Sequence, residues 1–295
     1  MDKTKYLKIF KESQKSNLKE TTVIRKSQVV RFFLDYLEEV GYEDLSDINE
    51  FDVYNYLNSL NYRSQTLSNV RFVLRETANI FYSKGLIDFD GFKLFPIIRT
   101  NKRDSLFSCY TQEEISSLIN TIDLKNRNGV RDKCLLTIAA QTGLRASDIA
   151  WLRFSEILWD KEIISKVQYK TGKPVSVPFS KEVMFLLVDY IKNHRPLSNS
   201  DYIFVDDKTK DKIKPNILTA VAYKNFKKSG IDISGKRKGA HTLRHSLATA
   251  MLKNNTPMPI ITGVLGHSSM NTTQRYISVD IEGLRSVSLE VPNVG

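Results

Sequence analysis

The sequence predicts an α+β protein with two domains: an all-helical N-terminal domain and a mainly helical second domain that contains a small antiparallel sheet. Apolar residues recur at helical spacing through the N-terminal third, with few β-type runs among them. In the second half, two β-type runs flank the turn sequence TGKP at 171–174. A polar, basic stretch separates the two patterns. We therefore expect domains over residues 1–98 and 109–295, joined by a linker over 99–108.

Three helices are expected in the N-terminal domain. Apolar spacing predicts the first over 23–40, where Gly41 is a favourable C-terminal stop. The same periodicity predicts helices near 50–60 and over 66–83. Few strand signals interrupt this region, so the domain is predicted to be all-helical.

The second domain is expected to begin with a helix, because Thr111 and Glu114 have the spacing of a capping box. A long apolar helix follows around 131–141 and ends at Gly143. The β-type runs 162–169 and 175–179 then predict a hairpin, and 202–205 is a further short apolar run. Helical character returns over 242–253, with a break and a restart at two prolines, Pro257 and Pro259.

Composition excludes several classes of protein. The hydrophobic content of 41% is ordinary for a globular chain, and no apolar run is long enough for a membrane span or a signal sequence. Cys109 and Cys134 are the two cysteines; they lack metal-ligand spacing and imply no disulfide framework. We therefore expect a cytoplasmic protein without a structural metal ion.

The positive charge is concentrated in one part of the chain. The net charge is +11, and residues 151–250 contain 19 lysines and arginines against 10 acidic residues. Such a patch suits a polyanion, whose counterions are released on binding. A lysine-rich solvated face explains the charge equally well when charge is considered alone.

Six residues of four types suggest one chemistry. Arginines hold non-bridging phosphate oxygens, histidine and lysine move protons, and a tyrosine hydroxyl can act as a nucleophile. Together they suit the binding and attack of a phosphodiester without a metal ion. The candidates are Arg145, Lys170, His241, Arg244, His267 and Tyr276.

Several candidates also have ordinary structural interpretations. Asp148 follows Arg145 by three residues, so it could hold the guanidinium rigid or simply form a surface ion pair. His241 and His245 have the i,i+4 spacing of a zinc site, but the glutamate of the zinc-protease pattern is missing. We expect no metal there, and we expect His245 to be a packed structural residue.

The lysine and the tyrosine are weak candidates when each is taken alone. Lys170 lies at a hairpin edge, where lysines commonly discourage strand pairing. Tyr276 is one of 13 tyrosines. The joint order and spacing of the six residues favour the catalytic interpretation over these alternatives.

That order resembles the motifs of the tyrosine recombinases, also called phage integrases. The likeness covers residues 108–280. It includes Lys170, which is followed eight residues later by Pro178 and is similar to the catalytic lysine on the family's β-hairpin. Asp148 stands where many members have glutamate. The matching segments are TGLRASD (142–148), HTLRH (241–245), LGHSS (265–269) and TTQRY (272–276).

The resemblance implies a mechanism. Tyr276 would attack the scissile phosphate to give a 3′-phosphotyrosyl link and a free 5′-hydroxyl, while Arg145 and Arg244 neutralise the growing charge. His241 would accept the tyrosine proton, and His267 would hydrogen-bond the phosphate. Lys170 would protonate the leaving 5′-oxygen, and Asp148 would support Arg145. No cofactor is implied.

The resemblance also implies double-stranded DNA recombination sites as the partner and a tetramer in the synaptic complex. Residues 1–98 are similar to the family's core-binding domain, and residues 109–295 would be the catalytic domain. No arm-site-binding module is expected ahead of them, as in Xer-type or transposon-encoded members. Phosphate contacts are expected from Lys173, Lys208, Lys210, Lys212, Lys236, Arg237 and Lys238.

Two alternatives remain open on the sequence. A type IB topoisomerase uses the same chemistry to relax one duplex. A DNA-binding regulator without activity is the non-enzyme alternative, which is disfavoured because all six candidate catalytic residues are present.

Overall fold

The computed structural model describes residues 1–16, 18–94 and 109–266. The chain divides into two compact units, Met1–Asp104 and Ser105–Gly295. The expected linker over 99–108 lies outside the described residues, so the exact domain limits stay a prediction.

The described part of the N-terminal unit is helical, as predicted. The expected helices near 50–60 and over 23–40 and 66–83 are present, each within a few residues of the expected limits. Gly41 ends one of them in a left-handed conformation with φ +104°. The helices are α1 (Lys3–Lys15), α2 (Glu20–Val40), α3 (Glu50–Ser59), α4 (Ser64–Ser83) and α5 (Gly91–Leu94).

Helix α1 is not among the predicted elements. Asp2 caps its first turn by accepting from the backbone N–H of Lys5. Only Tyr6 and Phe10 are buried along its length, and they pack into the core formed with α2 and α4. Its stability therefore depends on tertiary packing, since a short helix in which most residues are polar is marginal in isolation.

The C-terminal unit combines helices with one small sheet, which confirms the predicted α+β class. The capping box of Thr111 and Glu114 is present at the start of its first helix. The helices are α6 (Gln112–Asn120), α7 (Gly129–Thr142), α8 (Ala146–Ala150), α9 (Lys181–Asp189), α10 (Asn216–Lys228), α11 (Ala240–Lys253) and α12 (Met258–Leu265).

Three antiparallel strands form the sheet, in the order β1 (Ile157–Leu158), β2 (Ile163–Val167) and β3 (Pro174–Pro178). Strands β2 and β3 are the predicted hairpin, and Ser165 lies opposite Ser176. The apolar run 202–205 is not a regular strand. It forms isolated bridges at both ends, from Tyr202 to Arg153 and from Val205 to Lys212.

Helix α7 is the centre of this unit. It is apolar on nearly all sides, as expected of a helix enclosed by others, and it packs against α9, α10 and α11. Its C-terminal end and the N-terminal part of α11 therefore meet inside the core, next to the end of α12. In the described part of the chain, no helix has the length and apolar character needed to cross a membrane.

Candidate active site

The turn after α7 carries Arg145. Helix α7 ends at Gly143 with φ +63°, and Arg145 is the extended residue that precedes α8. Thr142 stabilises the turn, since its hydroxyl donates to the Ile138 carbonyl (2.6 Å) and accepts from the Leu144 N–H (3.3 Å). The half-buried guanidinium of Arg145 is thus attached to a rigid corner.

The buried side chain of Arg244 is fixed by hydrogen bonds to two backbone carbonyls. It lies in the first turns of α11 and is only 2% exposed. Its Nη1 donates to the carbonyl of Gly143 at 2.7 Å, and its Nη2 donates to the carbonyl of Leu265 at 2.5 Å. These bonds join the ends of α7 and α12 and fix the plane of the guanidinium.

Lys170 lies in the loop between β2 and β3 and is exposed. The loop is closed by backbone hydrogen bonds from Gln168 N–H to the Lys173 carbonyl (2.8 Å) and from Gly172 N–H to the Gln168 carbonyl (2.9 Å). Gly172 has φ +68°, a conformation that favours glycine. The backbone that carries Lys170 is therefore ordered at its base.

Asp148 connects this hairpin to α8. Its Oδ1 accepts from the backbone N–H of Tyr169 at 2.8 Å, and its backbone carbonyl accepts from the buried ammonium of Lys166 at 2.9 Å. Its Oδ2 is buried without a hydrogen-bond partner in the described structure. The hydrogen bond seen for this carboxylate thus supports the loop of Lys170, whereas support of Arg145 by Asp148 stays a prediction.

Gln168 is a site residue that the sequence interpretation missed. Its side chain is fully buried, and its Oε1 accepts from Arg145 Nη1 and from the Thr171 hydroxyl. The signal was present, because alternation along β2 places residues 164, 166 and 168 on the inward face. A glutamine side chain at an inward position needs a hydrogen-bond partner, which here is Arg145.

His241 lies in the first turn of α11, and its pKa is lowered. Desolvation by the surrounding protein is the main cause, although part of the residue remains exposed. The positive charges of Arg244, Arg145, Lys170 and Arg237 add to it, in that order. His241 is therefore mainly neutral near pH 7, the form that accepts a proton.

His245 is packed beside His241, as predicted. It is buried, and the two rings meet edge to face with centroids 4.5 Å apart. Within the described residues, no group of histidine, cysteine, aspartate or glutamate side chains could hold a metal ion.

Several of the predicted DNA-contacting lysines have partners within the protein. Lys210 pairs with Asp207 at 3.2 Å. Lys212 lies over the rings of Trp151 and Tyr202, with its ammonium 5.0 and 5.1 Å from their centroids. Lys208 is exposed, and so is Lys173 in the hairpin loop.

A second group of predicted DNA-contacting residues, Lys236, Arg237 and Lys238, precedes α11. Lys236 pairs with Glu114 at 3.3 Å and lies over the ring of Tyr110. The backbone carbonyl of Arg237 accepts from the Tyr110 hydroxyl at 3.0 Å. Arg237 is exposed and Lys238 is half-buried. The positive charge of Arg237 contributes to the lowered pKa of His241. This group therefore lies next to the candidate site.

His267 and Tyr276 lie outside the described residues. The described chain ends with Gly266, whose preceding carbonyl, that of Leu265, accepts from both Arg244 and Gln168. The structure brings together Arg145, Arg244, His241 and Lys170 in one unit. Two arginines and a lysine around a neutral histidine can bind an anion and accept a proton beside it.

Comparison with known proteins identifies relatives. Residues 109–282 match the phage integrase family. The tyrosine recombinase XerA of Pyrococcus horikoshii is 28% identical over 264 residues, which cover 88% of this chain and 86% of XerA.

Two solved structures show the same fold. The XerH site-specific recombinase bound to a palindromic difH substrate, a post-cleavage complex, matches with a TM-score of 0.74 at 19% identity, covering 97% of this chain and 83% of that one. A lambda integrase tetramer bound to a Holliday junction matches with a TM-score of 0.71 at 17% identity, covering 92% and 76%. This chain therefore shares the overall fold of these two proteins.

Proposed function

This chain belongs to the phage integrase family of tyrosine recombinases, and we propose that Arg145, Lys170, His241, Arg244, His267 and Tyr276 form its active site. Its function is site-specific DNA recombination, and the topoisomerase and regulator alternatives are not favoured. The observation that carries the proposal is the arrangement of Arg145 and Arg244 on one corner. Two separate elements, the turn after α7 and α11, present them there.

The arginines bind the scissile phosphate. The attack adds negative charge to the non-bridging oxygens, and fixed guanidinium groups stabilise that charge without reorganisation. Arg244 is buried on two carbonyls, so its orientation is set before DNA binds. Both arginines contribute most in the transition state, where the charge is greatest.

Proton transfer is assigned to His241 and Lys170. The lowered pKa of His241 leaves its ring neutral and able to take the proton of Tyr276. Lys170, at the tip of an ordered hairpin, protonates the 5′-oxygen as it leaves. His267 follows Gly266 directly and hydrogen-bonds the phosphate.

Tyr276 is the proposed nucleophile. Its oxygen forms a bond to phosphorus as the bond to the 5′-oxygen breaks, which gives a 3′-phosphotyrosyl link and a free 5′-hydroxyl. Because a phosphodiester is exchanged for another phosphodiester, a second 5′-hydroxyl reverses the step without ATP or another cofactor.

The exposed cations supply binding to double-stranded recombination sites. Residues 1–98 form the core-type DNA-binding domain in this proposal, and 109–295 form the catalytic domain. Lys208 and Arg237 contact phosphates, joined by Lys173, Lys210, Lys212, Lys236 and Lys238. Four protomers act on two sites, as the tetramer of a structural relative on a Holliday junction suggests. Cytoplasmic location stays a prediction.

A cleavage assay tests the proposed function. Duplexes that the full chain selects from a random library are nicked beside the cleavage position, so that the cleaved strand diffuses away and the covalent intermediate accumulates. We expect an SDS-resistant protein–DNA adduct, and with intact duplexes we expect strands exchanged between two sites. Relaxation of a supercoiled plasmid that carries such a site, without strand exchange, would favour the topoisomerase alternative, and binding without an adduct would favour the regulator.

A further inference from the structure

Gln168 lies where three parts of the catalytic unit meet. Its side chain is fully buried, and its position directly follows β2. The main chain of the same residue closes the loop that carries Lys170, through the N–H to Lys173 and the carbonyl from Gly172. One residue thus contributes both its backbone and its side chain to the order of this region.

The side-chain amide uses both of its ends. The Oε1 atom accepts from the Nη1 of Arg145 and from the Thr171 hydroxyl at 2.9 Å. The Nε2 atom donates to the Leu265 carbonyl at 3.3 Å. An amide suits this place because its oxygen accepts from a cation while its nitrogen donates to a carbonyl.

The end of α12 is shaped to this amide. Gly266 has φ +57°, and a Cβ atom at that position would collide with the Gln168 amide. The Leu265 carbonyl also accepts from Arg244, so Gln168 and Arg244 share an acceptor. Movement of Gln168 would therefore be transmitted to both arginines and to the start of the segment that leads to His267.

We propose that Gln168 is a positioning residue that aims Arg145 at the scissile phosphate and couples it to the loop of Lys170. This inference rests on the proposed function. A neutral acceptor orients the guanidinium without neutralising its positive charge. A carboxylate in the same place would hold Arg145 as firmly but would neutralise that charge.

Two variants separate orientation from charge. Gln168→Leu removes both the acceptor and the donor of the amide, whereas Gln168→Glu keeps the acceptor for Arg145, adds a negative charge beside it and loses the donor to the Leu265 carbonyl. Both should slow single-turnover adduct formation by about 10- to 100-fold, the usual effect of losing a supporting contact at a site. The matched control is Gln141→Leu, since the Gln141 amide bonds to Glu182 on α9 and to the backbone N–H of Ser180, the residue before α9.

The diagnostic substrate carries a neutral methylphosphonate at the cleavage position, which is mapped on the wild-type adduct. Such a linkage has less charge to neutralise, so the ratio of methylphosphonate to phosphate cleavage should rise for both Gln168 variants, as it should for Arg145→Ala. A purely structural defect would slow both substrates equally. Thermal melting checks that Gln168→Leu is folded. If it is not, the comparison is made with Gln168→Glu, which preserves the side-chain volume.

Three results overturn the inference. Wild-type rates in Gln168→Glu would show that charge at this position is irrelevant, and an unchanged substrate ratio in both variants would reduce Gln168 to a packing role. Both leave the proposed function intact, because the wild-type adduct is present. Absence of an adduct from the wild-type protein would instead overturn the proposed function, and this inference with it.

Discussion

Arg244 and Gly143 lie 101 positions apart in the sequence, yet Nη1 of Arg244 donates a 2.7 Å hydrogen bond to the Gly143 carbonyl. Gly143 occupies a left-handed conformation, and a Cβ atom there would lie 2.9 Å from Leu247 and 3.0 Å from Leu265. The turn therefore requires glycine for its conformation and for close packing. The orientation of a proposed phosphate-binding arginine depends on that turn.

Gly143→Ala should destabilise the protein more than Gly172→Ala. Both glycines have φ between +60° and +70°, so both substitutions incur a left-handed penalty of about 1–2 kcal/mol. Only Gly143 has close neighbours, because no atom lies within 4 Å of a Cβ at Gly172. Overpacking should add about 1–3 kcal/mol at Gly143 alone. Urea unfolding measures the difference, and equal losses would contradict the packing argument.

Arg237→Gln should raise the pKa of His241. Four cations lower this pKa together with desolvation, and Arg237 is the exposed one outside the proposed catalytic set. Removing a positive charge favours the protonated ring, so the pKa moves up towards its ordinary value of 6.5. NMR titration of ¹³C-labelled histidine follows the change, with His241→Asn to assign the resonance.

The activity profile gives an independent check of the same change. Since the neutral ring accepts the proton, the acid limb of adduct formation should shift to higher pH in Arg237→Gln. A His241 pKa that stays constant or falls would remove Arg237 from the surroundings of the site.

Lys208→Gln should weaken DNA binding and flatten its salt dependence. Lys208 and Lys210 are both exposed, but the ammonium of Lys210 pairs with Asp207. Loss of one phosphate contact should reduce the slope of log K against log salt by about 1. Lys192→Gln is the control, an exposed lysine outside the proposed basic groups. Equal slopes for the two variants would place Lys208 away from DNA.

Lys170→Ala tests the general acid. An alkoxide is a poor leaving group and needs a proton as the bond breaks, whereas a thiolate leaves unaided. The variant should therefore slow cleavage of normal DNA by about 10²- to 10⁴-fold. It should cleave a substrate with sulfur at the bridging 5′-position at close to the wild-type rate.

Two matched variants give this test its specificity. Lys173→Ala changes a second exposed lysine of the same loop; as a proposed phosphate contact it should weaken binding, but its cleavage rate with DNA saturated by protein should match that of the wild type. Arg145→Ala should gain little from sulfur, because its role is to stabilise charge. If sulfur rescues Lys173→Ala instead of Lys170→Ala, the general acid is Lys173.

The parts of the fold that were predictable are those with strong local signals. Helices α2 and α4 combine an apolar face with a glycine shortly after the end, and the β2–β3 hairpin has its turn sequence between alternating strands. Helix α1 was missed because two buried aromatic residues in a polar segment specify little without the core they enter.

The candidate site likewise has features that the sequence predicts and features that it does not. Residue types and their order pointed to Arg145 and Arg244, but not to what holds them. The carbonyl of Leu265 and the amide of Gln168 become neighbours only when α12 packs beside the hairpin. Likewise, the sequence did not predict that the ammonium of Lys212 lies over the rings of Trp151 and Tyr202, whereas its contact with a phosphate stays a prediction. Such contacts are tertiary and leave no local pattern.

The central claim is that Tyr276 forms a covalent bond to DNA. Tyr276→Phe keeps the ring and removes the nucleophilic oxygen, so duplex binding should persist while adduct formation stops. Tyr169→Phe is the control, because it removes the hydroxyl of an exposed tyrosine next to Lys170 and should still form the adduct. The measurement is gel mobility in SDS after incubation with the nicked duplex. We predict a retarded, protease-sensitive band for the wild type and Tyr169→Phe and none for Tyr276→Phe; the same band from Tyr276→Phe would contradict the account.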